Sequence, residues 1–199
     1  MSEMPFTVEE QLGMITWWRE QFAVEKYIPI RVFEAQLKVR PFVAFELATV
    51  CIVDDCLCVL LQRRPDNDAN EEFRNRLGLT GTIPMGSKSI DDIFETLSGD
   101  GESGIVVTPD DVVNIGTVYG PNKPRGPWTG IVYVHYLGEL DELPATSGGQ
   151  EWWQTAHALI STEMLLSAQI ILGHVVTYLE TSERFVFDCD ESTTDVITD

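Results

Sequence analysis

The chain has 199 residues, 44% of them hydrophobic, enough for one globular domain with a real core plus short extensions. Its formal charge of -19, from 32 acidic against 13 basic residues, repels nucleic-acid phosphates over most of the surface, so direct DNA or RNA binding is not expected. No apolar run is long enough to span a bilayer, and the N-terminus MSEMPFTVEEQ lacks the basic-then-apolar form of a signal peptide. A cytoplasmic protein with no membrane partner is the expectation.

The charge is uneven. Ten of the thirteen Lys and Arg precede Gly101, whereas Asp110-Asp111, Glu139 to Glu142 and the end of the chain are acidic. Two readings fit: solubility, or mimicry of a nucleic acid at a basic site on another protein. Cys51, Cys56 and Cys58 crowd one stretch and Cys189 lies far away. That spacing suits neither a disulfide framework nor a zinc site, so buried thiols are expected.

Residues 1–41 read as a helical and extended arm. Thr7 to Glu10 is a capping box, and Leu12, Ile15, Trp18 and Phe22 fall on one stripe. Trp17 and Trp18 cannot both face one core, so one is either partly buried under a loop or an interface anchor, and the arm packs on the domain or on a second subunit as a homodimer. Residues 42–183 read as the main domain. PFVAFELATVCIV, the acidic pair Asp54-Asp55, and CLCVLLQRR form a tight hairpin, and apolar residues on both faces place it centrally in a sheet. Arg63 and Arg64 close it. Their forked guanidinium groups suit a phosphate, or the chain's own abundant carboxylates.

The stretch LGLTGTIPMGSKSIDDIFETLSGDGESGI carries the main motif. Gly78, Gly81 and Gly86 punctuate it, as a backbone must that turns sharply and comes close to a ligand. Ser89 is a good N-cap, Asp91 and Asp92 complement the helix dipole, and Ile90, Ile93, Phe94 and Leu97 recur at helical spacing. Gly99 and Gly101 stop that helix. Strands follow at Ile105 to Val107, Val112 to Tyr119 and Gly130 to Leu137. Between the last two, GPNKPRGPW carries Lys123 and Arg125, the only Lys or Arg between Lys88 and Arg184. With Tyr119 and Trp128 at its edges, this loop is a candidate site for an anionic aromatic ligand, or an ordinary surface hairpin. His135 reads as a hydrogen-bonded core histidine. Gln150 to Trp153 precedes a helical stretch through Leu179, and residues 184–199 read as an acidic, flexible tail.

The glycine-punctuated stretch resembles the Nudix hydrolase signature: Gly, five residues, Glu, seven residues, then Arg-Glu-apolar-any-Glu-Glu-any-Gly-apolar. Counted from Gly81, the first glutamate position holds Ser87, the Arg-Glu pair is Glu95-Thr96, and Leu97 keeps the apolar position. The paired glutamates become Gly99 and Asp100, and Gly104-Ile105 closes two residues late. The QRR strand and the polar loop after it extend the likeness. It implies an α/β fold, a Nudix-like α/β/α sandwich on a mixed sheet, here with an N-terminal helical extension. It also makes Glu151 a candidate base or metal contact. Family chemistry is attack of water on a pyrophosphate, assisted by Mg2+ held on carboxylates of one helix face.

Most of those carboxylates are absent, and three functions follow as alternatives. The first is a binding protein for a nucleotide-derived ligand or a protein partner, with Arg63, Arg64, Gly81, Gly86, Tyr119, Lys123, Arg125 and Trp128 as ligand contacts. The second is a divergent hydrolase of a nucleoside diphosphate derivative, needing Mg2+ on Asp92, Glu95, Asp100 or Glu102, with Glu95, Asp100 and Glu151 as catalytic candidates. The third is an acidic decoy docking on a basic protein. Asp92, Glu95 and Thr96 at i, i+3 and i+4 form either a displaced metal site or the solvated face of a short helix.

Overall fold

The computed structural model describes residues 42–68, 71–84, 89–98, 105–120, 128–182 and 184–188. The expected N-terminal helices, with Trp17 and Trp18, lie outside the described residues, as does Cys189.

β1 (Phe42–Val53) and β2 (Cys56–Arg63) form the expected hairpin. Asp54 and Asp55 both take left-handed conformations, with φ of 51° and 59°. A two-residue turn of this hand matches the strand twist, and Asp tolerates it through local hydrogen bonding. The strands pair from Val53↔Cys56 to Val50↔Val59 and then part. Residues 77–82 fill the gap: β3 (Leu77–Gly78) pairs with β2, and β4 (Thr80–Thr82) pairs with β1. The apolar run around the glycines is thus a pair of short strands that swaps partners, which its punctuation did not reveal.

β1 is parallel to β6 (Trp128–Glu139) along its other edge. β5 (Val112–Gly120) is antiparallel to β6, and β7 (Gln150–Gln154) is antiparallel to the far edge of β2. β8 (Phe185–Asp188) lies parallel to β5, so four residues of the stretch read as a tail belong to the sheet. β1 is central, as its two apolar faces predict. Ile105 to Val107 is not a strand; Val107 is instead buried beneath the helix that precedes it.

Alternation along the strands feeds two cores. One face carries Leu47, packed with Ile93, Phe94 and Leu97 of α1 (Ile90–Leu97), with Phe45 and Tyr133 beside them. Tyr133 stacks on Phe45 at 6.0 Å and meets the edge of Phe94 at 5.1 Å between ring centroids. The other face carries Ala48, Val50, Val59, Leu61, Val132 and Val134 under α2 (Thr155–Leu159) and α3 (Leu166–Thr181). The helical stretch after β7 is therefore broken between α2 and α3, where Met164 plugs the core, the Leu77 N–H donates to the Glu163 carbonyl and the Leu165 N–H donates to the Leu77 carbonyl. The architecture is an α/β/α sandwich on a mixed sheet. No helix among the described residues is long and apolar enough to cross a membrane.

Candidate functional site

The motif helix begins where the sequence places it. Ser89 is its N-cap, with the Asp92 backbone N–H donating to Ser89 Oγ at 3.1 Å, and the Ser89 backbone N–H donating back to Asp92 Oδ2 at 2.8 Å. Ser89 Oγ also donates to Asp92 Oδ2. This reciprocal closure satisfies two otherwise orphaned donors and spends the Asp92 carboxylate on the helix start. Thr96 Oγ1 donates to the Asp92 carbonyl at 2.8 Å, so it stays on its own helix. Glu95 is exposed. The helix ends at Leu97; Ser98 turns back to donate to the Phe94 carbonyl at 2.6 Å.

The candidate carboxylates therefore do not gather on α1. Among the described residues no three His, Cys, Asp or Glu side chains converge as a metal site, and Asp92 with Glu95 does not fit a magnesium ion. Gly86, Asp100 and Glu102 lie outside the described residues, as do Lys123 and Arg125.

The candidate base and the candidate phosphate ligand meet one another. Arg63 Nε donates to Glu151 Oε1 at 2.7 Å, a second guanidinium nitrogen donates to Glu163 Oε2 at 2.9 Å, and Nη1 donates to the Asn75 carbonyl at 2.8 Å. Trp153 Nε1 donates to the second oxygen of Glu151 at 2.9 Å. Burial alone would raise the Glu151 pKa, but the Arg63 and Trp153 hydrogen bonds and the Arg63 charge outweigh it and hold this carboxyl below the usual range. Arg63 is held more firmly protonated, first through its bond to Glu151. A carboxylate so stabilised is a poor base near neutral pH. Arg64 pairs with Asp68 at 3.0 Å. Both arginines thus bond the chain's own acids, the second of the two readings of their sequence.

Tyr119 and Trp128 part company. Register pairs Tyr119 with Thr129 and Gly120 with Trp128, so the tyrosine, 44% exposed, stands on the α1 face and the tryptophan on the α3 face. Trp128 is half-buried and packs on the larger core. Gly81 on β4 stands opposite Glu46 on β1. A Cβ at Gly81 would sit 2.6 Å from Glu46 Oε2, so only glycine lets that carboxylate lie where it does.

Three residues escaped the sequence reading. Glu46 was legible as the lone charge in PFVAFELATV, whereas Glu163 and Trp153 had no local signal. His135 is buried, as expected of a core histidine, but its Nδ1 finds no partner, and neither does Oγ1 of the cross-strand residue Thr49. Cys51 and Cys58 are buried, and burial followed by the neighbouring Cys58 thiol pushes Cys51 up to about 11. Such thiols are inert.

No protein-family model and no curated protein matches the sequence. Solved structures do match by shape. The Nudix domain of Shewanella oneidensis NrtR, crystallised with ADP ribose, superposes with a TM-score of 0.55 at 17% identity, over 80% of this chain and 97% of that one. A MutT/nudix family protein from Enterococcus faecalis gives 0.53 at 16% identity, over 89% of this chain and 71% of its own. One from Listeria innocua gives 0.51 at 15%, over 72% and 97%. The strand order, the partner-swapping β3–β4 segment that leads into a capped helix, and these superpositions agree: the chain has a Nudix-like fold.

Proposed function

We propose that this protein binds a nucleotide-derived ligand and does not perform efficient metal-dependent pyrophosphohydrolysis. The observation that carries the reading is the state of α1: it ends at Leu97, one of its candidate ligands closes its own N-terminus, and Glu95 is left alone in solvent. Each missing carboxylate removes a bond and a countercharge from any magnesium, and among the described residues Asp92 and Glu95 do not meet its octahedral demand. Binding has separate support, because the NrtR domain of the same fold holds ADP ribose.

A thermal-shift screen with ADP ribose, nucleoside diphosphate sugars and dinucleotides, run without metal, tests binding. One compound class is expected to raise the melting temperature by several degrees, as saturation of a native-state site requires. The same panel with magnesium or manganese, followed for phosphate-containing products, is expected to remain uncleaved. Turnover abolished by Glu95→Gln or Asp100→Asn would overturn the reading in favour of a divergent hydrolase.

A further inference from the structure

The two faces of the sheet are covered unequally. On the α3 face Ala44, Ala48, Val118, Val132 and Val134 are all buried, whereas on the α1 face burial fades towards the end where β1 and β6 begin. Along β1, Leu47 is sealed, Phe45 is half-buried and Val43 is 44% exposed. Register sets Val43 beside Thr129 and Thr129 beside Tyr119, so Val43 and the equally exposed Tyr119 stand about 10 Å apart on one face. Phe45 and Ile131, half-buried in the next row, continue the patch.

The length of α1 explains the gap. Eight residues make about 12 Å of helix, and the cluster under Ile93, Phe94 and Leu97 takes in Leu47, Phe45 and Tyr133 but stops short of the Val43 row. A contiguous apolar patch at the edge of a packed layer marks a docking surface. The chain enters β1 at Phe42, so residues 1–41 end one position from Val43. Within them Leu12, Ile15, Trp18 and Phe22 recur at helical spacing, and the nineteen residues from there to Phe42 are enough to turn that stripe back over the sheet.

Charge decides between this segment and a second copy. Residues 1–41 carry five of the thirteen basic side chains and six of the 32 acids, so they are nearly neutral and leave -18 on the rest of the chain. A second copy would bring its own -19 to a patch of two exposed and two half-buried side chains, far below the roughly 800 Å² per partner of a stable dimer. A tethered segment escapes both costs, because its effective concentration at the patch is on the order of millimolar. We propose that residues 1–41 fold back over their own domain, with the stripe that contains Trp18 seated on the Val43 and Tyr119 row. The arm then completes the layer that α1 begins.

Limited trypsin digestion of the full chain tests this at Arg19 and Lys26, within and just beyond the stripe. Both bonds are expected to be cut at least about tenfold more slowly than in a free peptide of the same sequence. Tyr119→Ser with Val43→Ser should speed cleavage about tenfold, since losing buried apolar surface of this size raises the open population by that order. Trp18→Ser should do the same, and all three changes together should add little, as partners in one contact require. Tyr119→Phe keeps the apolar surface and should retain the parent's rate, which separates a lost contact from a damaged sheet. Ile160→Ser, at an 81% exposed position after α2, should also leave the rate unchanged. Free-peptide rates in the parent, or protection that survives Tyr119→Ser with Val43→Ser, overturn the proposal. Protection that rises with protein concentration, with a dimer in sedimentation, overturns it in favour of a second copy.

Discussion

Glu151 and Glu46 stand on the same face of one sheet, and the protein treats them in opposite ways. Glu151 is clasped by Arg63 and Trp153, and the same arginine reaches Glu163 and the Asn75 carbonyl. Those bonds tie β2, β7, the turn before β3 and the loop before α3 into one brace. Glu46 instead lies against the bare backbone of Gly81, on the face where Trp128 lies across Gly120 and Gly130. One carboxylate ties four segments together through Arg63, and the other lies against a bare stretch of backbone. Family likeness pointed at the first as a catalytic candidate, and a lowered pKa in a partly buried group would commonly be taken to support that. Here the shift comes from ion pairing that bolts strands together.

The sharpest way to break this comparison is to fill the bare backbone at Gly130. Gly130→Ala places a methyl group 2.6 Å from Val118 Cγ1 and into the Trp128 ring, so either the ring lifts or the strands spread. Overpacking of this kind costs about 1–3 kcal/mol, and urea unfolding should show it as a lower midpoint with an unchanged slope. If the variant is as stable as the parent, the indole does not lie across Gly130.

Next comes the brace. Arg63→Met removes three charge-assisted bonds and leaves Glu151 partly buried without its cation. The side chains of Arg63, Glu151 and Glu163 are 31%, 36% and 53% exposed, so water screens much of the interaction and about 1–2 kcal/mol is expected. Nucleotide affinity should not change. A large loss of nucleotide binding with little loss of stability would make Arg63 a ligand contact rather than a brace.

Much of the frame was legible because its signals are local. The hairpin shows in two β-rich runs around Asp54-Asp55, the helix in Ser89 with Asp92 three residues on, and β6 in the alternation of VYVHYL. The partner swap at residues 77–82 was not legible, since two strands of two and three residues carry too few side chains for a period to emerge. β8 was hidden for the same reason, as four residues in an acidic stretch. The site was harder still. Arg63 and Glu151 are 88 residues apart, and nothing in either segment announces that they meet. Tyr119 and Trp128 look like neighbours at the two ends of one loop, but a single step of register turns them to opposite faces. Glu46 could have been found, because one charge at an inward position of an apolar strand needs a reason.

A smaller effect follows from pH. The Glu151 carboxyl is held below its unfolded value of 4.5, so its stabilisation is complete above that pH and is lost as pH falls through the folded value. The stability gap between the parent and Glu151→Gln should therefore be widest above pH 4.5 and close progressively below it. A gap that stays constant into acid would mean that the brace holds by shape alone.

The smallest expected effect lies on the other face, where His135 and Thr49 meet across β1 and β6 with Nδ1 and Oγ1 both buried and unpartnered. Burial lowers the His135 pKa below 6.5, and the nearby Asp111 carboxylate only partly opposes it. Unfolding releases the imidazole to water, where it binds a proton more readily, so the unfolded chain gains protons first. The stability tied to neutral His135 is thus fully present above pH 6.5 and declines as pH falls toward the folded value. His174, lowered by burial on α3, adds a decline of the same sign, so only a difference between variants isolates His135. His135→Leu should remove part of the loss in unfolding free energy between pH 7.5 and 5.5, by less than about 1 kcal/mol. Thr49→Val removes the other unpartnered atom without titrating, and should be neutral or slightly stabilising at both pH values. If Thr49→Val is instead costly, the hydroxyl is satisfied in solution by a bound water, and the pair is a small hydrated site within the sheet's second core.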